Sequence, residues 1–194
     1  MAISGLEQSR FAALRDVALC AITAVGERRA FGELVRRNGS AVRGVLRRMG
    51  AHSAEADDVA QDAFLTAFER ISEFRGEGTF AGWVKKIAAR LYLRRLQRDR
   101  RLGAMTAEVI EDDPPRGDAD AAIDLEGALK ALNGVERLCV TMCFGAGLSH
   151  SEAAEALNLP LGTVKSHVKR GLEKLRTRLA PEHGAVLEGR RGNG

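Results

Sequence analysis

Aromatic residues make up only 5% of this 194-residue chain: seven Phe, one Trp and one Tyr. Rings this scarce cannot fill a core by themselves. Ala, Leu, Arg and Glu abound instead, which favours helices with modest cores. Alternating β-branched runs are also missing beyond a few positions, which excludes a sheet protein. No apolar stretch reaches the length of a membrane span, so membrane insertion is not expected. The opening MAISGLEQSRFAALRDVALCAITAV lacks a basic segment followed by a long apolar core, so it does not read as a signal peptide. Three cysteines, an odd and sparse count, fit a reducing, cytoplasmic location. Cys139 and Cys143 lie four apart on the apolar stripe Val135, Leu138, Cys139, Met142, Cys143. No further ligand stands at metal spacing, so burial as small hydrophobes is expected rather than a zinc or redox pair. No metal or cofactor is implied.

Charge is plentiful but unevenly placed. The formal net charge is only +4. From Lys85 to Arg101 the bases Lys85, Lys86, Arg90, Arg94, Arg95, Arg98, Arg100 and Arg101 face the single acid Asp99. From Glu108 to Glu126 the balance reverses, with Arg116 alone among acids, and from Lys165 to Arg178 it turns basic again. Two basic blocks around an acidic spacer suggest two polyanion-binding modules joined by a segment that avoids the polyanion.

The second basic block belongs to the stretch LSHSEAAEALNLPLGTVKSHVKRGLEKLRTRL, Leu148 to Leu179. Ser149 with Glu152 has capping-box spacing, and Ala153, Ala154 and Leu157 give a small apolar face. After the break at Asn158–Pro160, Pro160 suits the first turn of a second helix. There Val164, Val168, Leu172, Leu175 and Leu179 make a buried stripe. At about 100° per residue, Lys165, Ser166, Lys169 and Arg170 share the opposite face. The pattern is a helix-turn-helix aimed at a major groove; the plainer alternative is a helical hairpin with a solvated basic face.

Upstream, residues 5 to 25 read as one helix ended by Gly26. Residues 29 to 49 read as two short helices broken at Asn38–Gly39, closed by Gly50, with Ser53 opening the next. That helix, about 54 to 74, buries Val59, Ala60, Ala63, Phe64, Ala67, Phe68 and Ile71. Asp58, Asp62 and Glu69 take the other face, with Gln61 at its edge. Asp57, Asp58 and Asp62 invite a metal-dependent nuclease reading, but such sites need carboxylates converging on a cleft from several elements. A solvated or protein-binding acidic face is preferred. The loop Arg75-Gly76-Glu77-Gly78 leads to Thr79, an N-cap, and to a stripe of Phe80, Trp83, Val84, Ile87 and Leu91. Beyond Leu91 the stripe is expected to fail and arginine to surround the helix, an end suited to a polyanion.

The expected architecture is all-α: two small helical domains joined by a flexible acidic linker. An N-terminal helical extension (1–26) precedes the first domain (27–102). Residues 103–120, with Pro114–Pro115 in an acidic run, form the linker. A four-helix domain follows (121–182), with Asn133 and Glu136 starting one of its helices, and then a disordered tail (183–194).

With these motifs in order, the chain resembles the extracytoplasmic-function (ECF, group IV) sigma factors of bacterial RNA polymerase over about residues 27 to 180. The segments AEADDVAQDAFLTAFERISEFRGEGTFAGWVKKIA and GLSHSEAAEALNLPLGTVKSHVKRGLEKLRTRL, and the acidic linker between them, carry the resemblance. It implies a factor that binds core polymerase and directs promoter-specific initiation in a stress or envelope response. The implied partners are the clamp helices of the largest subunit, the flap of the second-largest, promoter DNA and an anti-sigma factor. Asp57, Asp58, Gln61 and Asp62 would dock on polymerase. Phe74, Arg75 and Phe80 fall at the loop that captures a flipped minus-10 base, with Lys85, Lys86, Arg90, Arg94 and Arg95 holding the adjacent DNA. Thr163, Lys165, Ser166, Lys169 and Arg170 match positions contacting the minus-35 element. One departure stands out: most members read approximately IARN-x-x-x-D, where this chain has Ile87-Ala88-Ala89-Arg90 and then Arg94. Arginine there loses an amide able to read a base and gains a phosphate ligand.

Three other readings compete. A sigma-like decoy that sequesters an anti-sigma protein would normally carry a receiver domain and a degraded recognition helix. A free-standing helix-turn-helix repressor leaves the acidic helix and the FRG loop unexplained. A nuclease has the least support.

Overall fold

The computed structural model describes residues 11–103 and 125–179. Every regular element among them is helical. In chain order they are α1 (Asp16–Ala24), α2 (Arg28–Met49), α3 (Ser53–Glu69), a 3-10 turn (Ile71–Glu73) and α4 (Phe80–Gly103). The second domain contains α5 (Leu125–Lys130), α6 (Gly134–Val140) running into a π turn (Thr141–Gly145), α7 (His150–Leu157) and α8 (Leu161–Leu179). The linker expected from 103 to 120 and the tail from 183 to 194 lie outside the described residues, save Gly103.

Three expectations need correction. The helix expected over 5–25 is interrupted before Arg15, and α1 starts only at Asp16. Its break is held by Arg37, whose guanidinium donates to the carbonyls of Phe11, Ala12 and Leu14 and to Asp16. The break expected at Asn38–Gly39 does not occur, and α2 runs through it. The Asn38 amide donates to the Leu34 carbonyl one turn back and to Asp16, so both of its donors are satisfied inside a helix. Finally, the buried stripe of α4 does not stop at Leu91: Tyr92 and Leu93 are buried and Leu96 packs at the core edge.

Caps follow the sequence closely. Asn133–Glu136 and Ser149–Glu152 both close full capping boxes, and Thr79 Oγ1 accepts from Gly82 N–H at 3.0 Å. The cap of α3 is His52 rather than Ser53, its ring Nδ1 accepting from Glu55 N–H.

The scarce rings are concentrated in one place. Phe31, Phe64, Phe68, Phe74, Phe80 and Trp83 form a chain of edge and tilted contacts 5.1–6.4 Å apart, directly under the loop that precedes α4. The two domains do not sit apart. One apolar cluster runs from Leu34, Val45 and Val84 in the first to Cys139, Met142, Ala153 and Val164 in the second. A smaller cluster of Ala128, Leu129, Leu132, Val140 and Leu175 holds α5, α6 and α8 together.

Candidate polymerase and nucleic-acid interface

Three helix faces carry the chemistry. On α3, burial of Val59, Ala60, Ala63, Phe64 and Ala67 turns Asp57, Asp58, Gln61 and Asp62 outward, and all four are exposed. Leu65 lies beside them and is 55% exposed, an apolar group off the buried stripe. Its spacing from Asp58, Gln61 and Asp62, seven, four and three residues, sets it on their face, a signal visible in the sequence alone. Asp57 is 3.5 Å from Arg43, and Asp58 lies 3.9 Å from Arg95.

On α4, the residues read as minus-10 ligands divide. Lys86 and Arg90 share one face, four residues apart, and converge on the carboxylate of Glu152 at 3.4 and 3.1 Å. Arg95 turns to the other side, toward Glu55 and Asp58, so it is not grouped with them. Arg94 is exposed and Lys85 half-buried. Phe80 is 1% exposed, which corrects its assignment as a DNA contact: the ring forms the floor beneath the loop. Phe74 is half-buried against Phe80 and Trp83, leaving Arg75 and Glu77 as the loop's outward charged side chains. Gly76 and Gly78 sit at φ +76° and +84°, a conformation that side-chain-bearing residues resist.

On α8, Val164, Val168 and Leu175 are buried while Lys165, Ser166, Lys169 and Arg170 are exposed, with Thr163 half-buried. The Asn158 turn between α7 and α8 adopts the left-handed conformation at φ 52°. Ser166 Oγ donates to the Gly162 carbonyl at 2.9 Å, so its hydroxyl proton is engaged and its lone pairs remain. Arg170 is steered by His167 Nδ1 at 3.2 Å and the Ser166 carbonyl. Behind this face the buried carboxylate of Glu136 takes Lys174 at 2.7 Å, a bond that leads the forces holding it below its usual range.

None of these faces resembles a catalytic centre. The acids of α3 diverge along a helix rather than meeting. Burial pushes the Cys20 thiol up to about 12 and the Cys139 thiol up to about 11, away from the thiolate that nucleophilic or metal chemistry needs. Among the described residues no helix is long and apolar enough to cross a membrane.

Comparison with known proteins matches both halves. The Sigma-70 region 2 family model covers residues 34–102, and the Sigma-70, region 4 model covers residues 128–177. The chain is 31% identical over 160 residues to the ECF RNA polymerase sigma factor SigE of Mycolicibacterium smegmatis. That match takes in 76% of this chain and 61% of the relative, less than two thirds of its length. It is 32% identical over 171 residues to the RNA polymerase sigma factor NccH of Alcaligenes xylosoxydans xylosoxydans, covering 82% of this chain and 92% of that protein. Among solved structures it is similar to CnrH in complex with the cytosolic domain of CnrY, at 28% identity and a TM-score of 0.50. That alignment covers 84% of this chain and 95% of the other.

Proposed function

We infer from the family to which this chain belongs, the ECF sigma factors of RNA polymerase, that it binds core polymerase and directs promoter-specific initiation, with no catalytic step of its own. The observation that carries the reading is the coexistence of two exposed faces in one chain. An acidic docking face lies on α3, and a cationic recognition face lies on α8. A repressor needs only the second.

In this reading Asp57, Asp58, Gln61 and Asp62 meet the clamp helices of the largest polymerase subunit, with Leu65 as an apolar anchor among them. Such a mixed patch suits an interface whose centre excludes water and whose rim is charged. The loop around Arg75 receives an unstacked minus-10 base above the aromatic floor, and Lys86, Arg90 and Arg94 hold neighbouring phosphates. Thr163, Lys165, Ser166, Lys169 and Arg170 read the minus-35 duplex, Arg170 being the side chain built for a bidentate contact. The second domain also meets the flap of the second-largest subunit. The protein acts in the cytoplasm, and an anti-sigma protein is a fitting regulator; the similar CnrH is found in complex with the cytosolic domain of CnrY.

The test is holoenzyme reconstitution with bacterial core polymerase and run-off transcription from the promoter region upstream of the gene. Promoter-dependent transcripts are expected. DNA binding without transcripts, with or without core, would return the chain to the repressor or decoy class.

A further inference from the structure

The start of α1 belongs to none of the three faces above, yet polar side chains converge to hold it. Arg37 donates to the carbonyls of Phe11, Ala12 and Leu14, and to Asp16 at 3.1 Å. Asn38 donates to the other Asp16 oxygen at 3.2 Å, and buried Glu33 accepts from Arg37 Nε at 2.7 Å. Leu19, Cys20 and Thr23 are buried, and α1 packs on α2 and on the 3-10 turn Ile71–Glu73. Val17, the residue after Asp16, is thereby fixed in place.

Val17 is not part of the core and is 54% exposed. Its two methyls lie 3.7 and 4.0 Å from where a Cβ on Gly76 would stand. Apart from the adjoining loop residues, nothing else among the described residues comes within 4 Å of that point. Gly76 belongs to the loop that receives the unstacked base, at φ +76°. Among the described residues, nothing from Arg75 to Gly78 enters a hydrogen bond. Phe74 anchors one end of this stretch on Phe80 and Trp83, and Thr79 anchors the other as a cap. Between those anchors Val17 touches the loop from the side. A segment without hydrogen bonds keeps its shape through such packing.

We propose that Val17 is a positioning residue for the minus-10 element: it props Gly76 from the side and sets the depth at which the loop holds the flipped base. The inference rests on the base-capture reading made above. Unstacking a base costs free energy that the pocket must return, and a loop already in its bound shape returns more of it. Slack in the loop therefore lowers the gain from the captured base and leaves contacts to the backbone alone.

The measurement uses holoenzyme reconstituted with core polymerase and a minus-10 single strand, intact or made abasic at each position in turn. For wild type, one abasic position should weaken binding roughly 5- to 150-fold, the range for loss of one stacked base. Val17→Ala should shrink that penalty at least about 3-fold. Penalties at the other positions, binding of a minus-35 duplex and melting temperature should stay close to wild type. Val17→Ile, which restores the branched contact, should restore the penalty. Val25→Ala removes a more exposed valine just beyond the far end of α1 and should change nothing. If Val17→Ala keeps the full penalty, or weakens binding alike at every position, the prop is overturned and base capture stands. Should no abasic position weaken wild type, base capture itself fails, and the role of Val17 fails with it.

Discussion

Gly171 on the recognition helix and Val140 at the end of α6 approach so closely that a methyl group on Gly171 would lie 2.6 Å from Val140 Cγ2. Val140 is buried and branched, so it has no flexible end to give way. Helix propensity alone favours Ala over Gly by about 1 kcal/mol, while forcing a methyl into a packed site costs about 1–3 kcal/mol. Packing wins here. Gly171→Ala should destabilise the chain by about 1–2 kcal/mol in denaturant unfolding. The pair Gly171→Ala/Val140→Ala should cost less than the two single changes added together. A stabilised Gly171→Ala would show that α6 and α8 are free to separate.

Docking is testable through charge. Asp58 and Asp62 are exposed and make no core contact, so Asp58→Arg/Asp62→Arg should leave helical content and melting temperature close to wild type. Association with core polymerase should be lost. Leu65→Ala should weaken it by about 1–2 kcal/mol, the range of an interface anchor. Co-purification of the double variant with core would mean that the acidic face is merely solvated.

Much of this was legible beforehand, because the signals were local. Capping boxes, the buried stripe of α8 and the outward acids of α3 depend on spacing within one helix, which the sequence displays directly. The errors lie where distant residues decide. Asn38 looked like a helix breaker until Asp16, brought alongside from another helix, took one of its donors. Tyr92 and Leu93 looked stranded among arginines, yet they are buried in a cluster that spans both domains. Phe80 belongs by spacing to the apolar stripe of α4 and by resemblance to the DNA-contacting loop; its packing against Phe31 and Trp83 decides for the stripe. Glu152 was correctly read as a cap; its second role across the domain contact had no local signature.

Acid should loosen the N-terminal helices. Glu33 is buried and its pKa is lowered from 4.5 to about 2, chiefly by hydrogen bonds from Arg36 and then Arg37, against the opposing effect of burial. The folded state therefore binds this proton less readily than the unfolded one. Its contribution is complete above about pH 4.5 and drains away as pH falls toward about 2. Melting temperature should drop across that window, and Glu33→Gln, already less stable at neutral pH, should drop less steeply. Parallel curves for the two proteins would remove Glu33 from the account.

The last prediction concerns Arg90, which stands where the family resemblance leads one to expect an asparagine. An amide can donate to and accept from a base edge, whereas a guanidinium only donates and favours phosphate. The side chain is 45% exposed and already grips a carboxylate, Glu152, which shows that it reaches an anion from this position. Arg90→Asn should therefore exchange phosphate affinity for base discrimination. Placing it in a Glu152→Gln chain keeps the domain contact from confusing the result. Loss of one phosphate contact to single-stranded DNA should shallow the log–log salt dependence by about 0.7. A panel of minus-10 strands substituted base by base should show a sharper preference at one position. If slope and preference both stay as they were, Arg90 serves the domain contact alone, and the minus-10 strand runs along another face of α4.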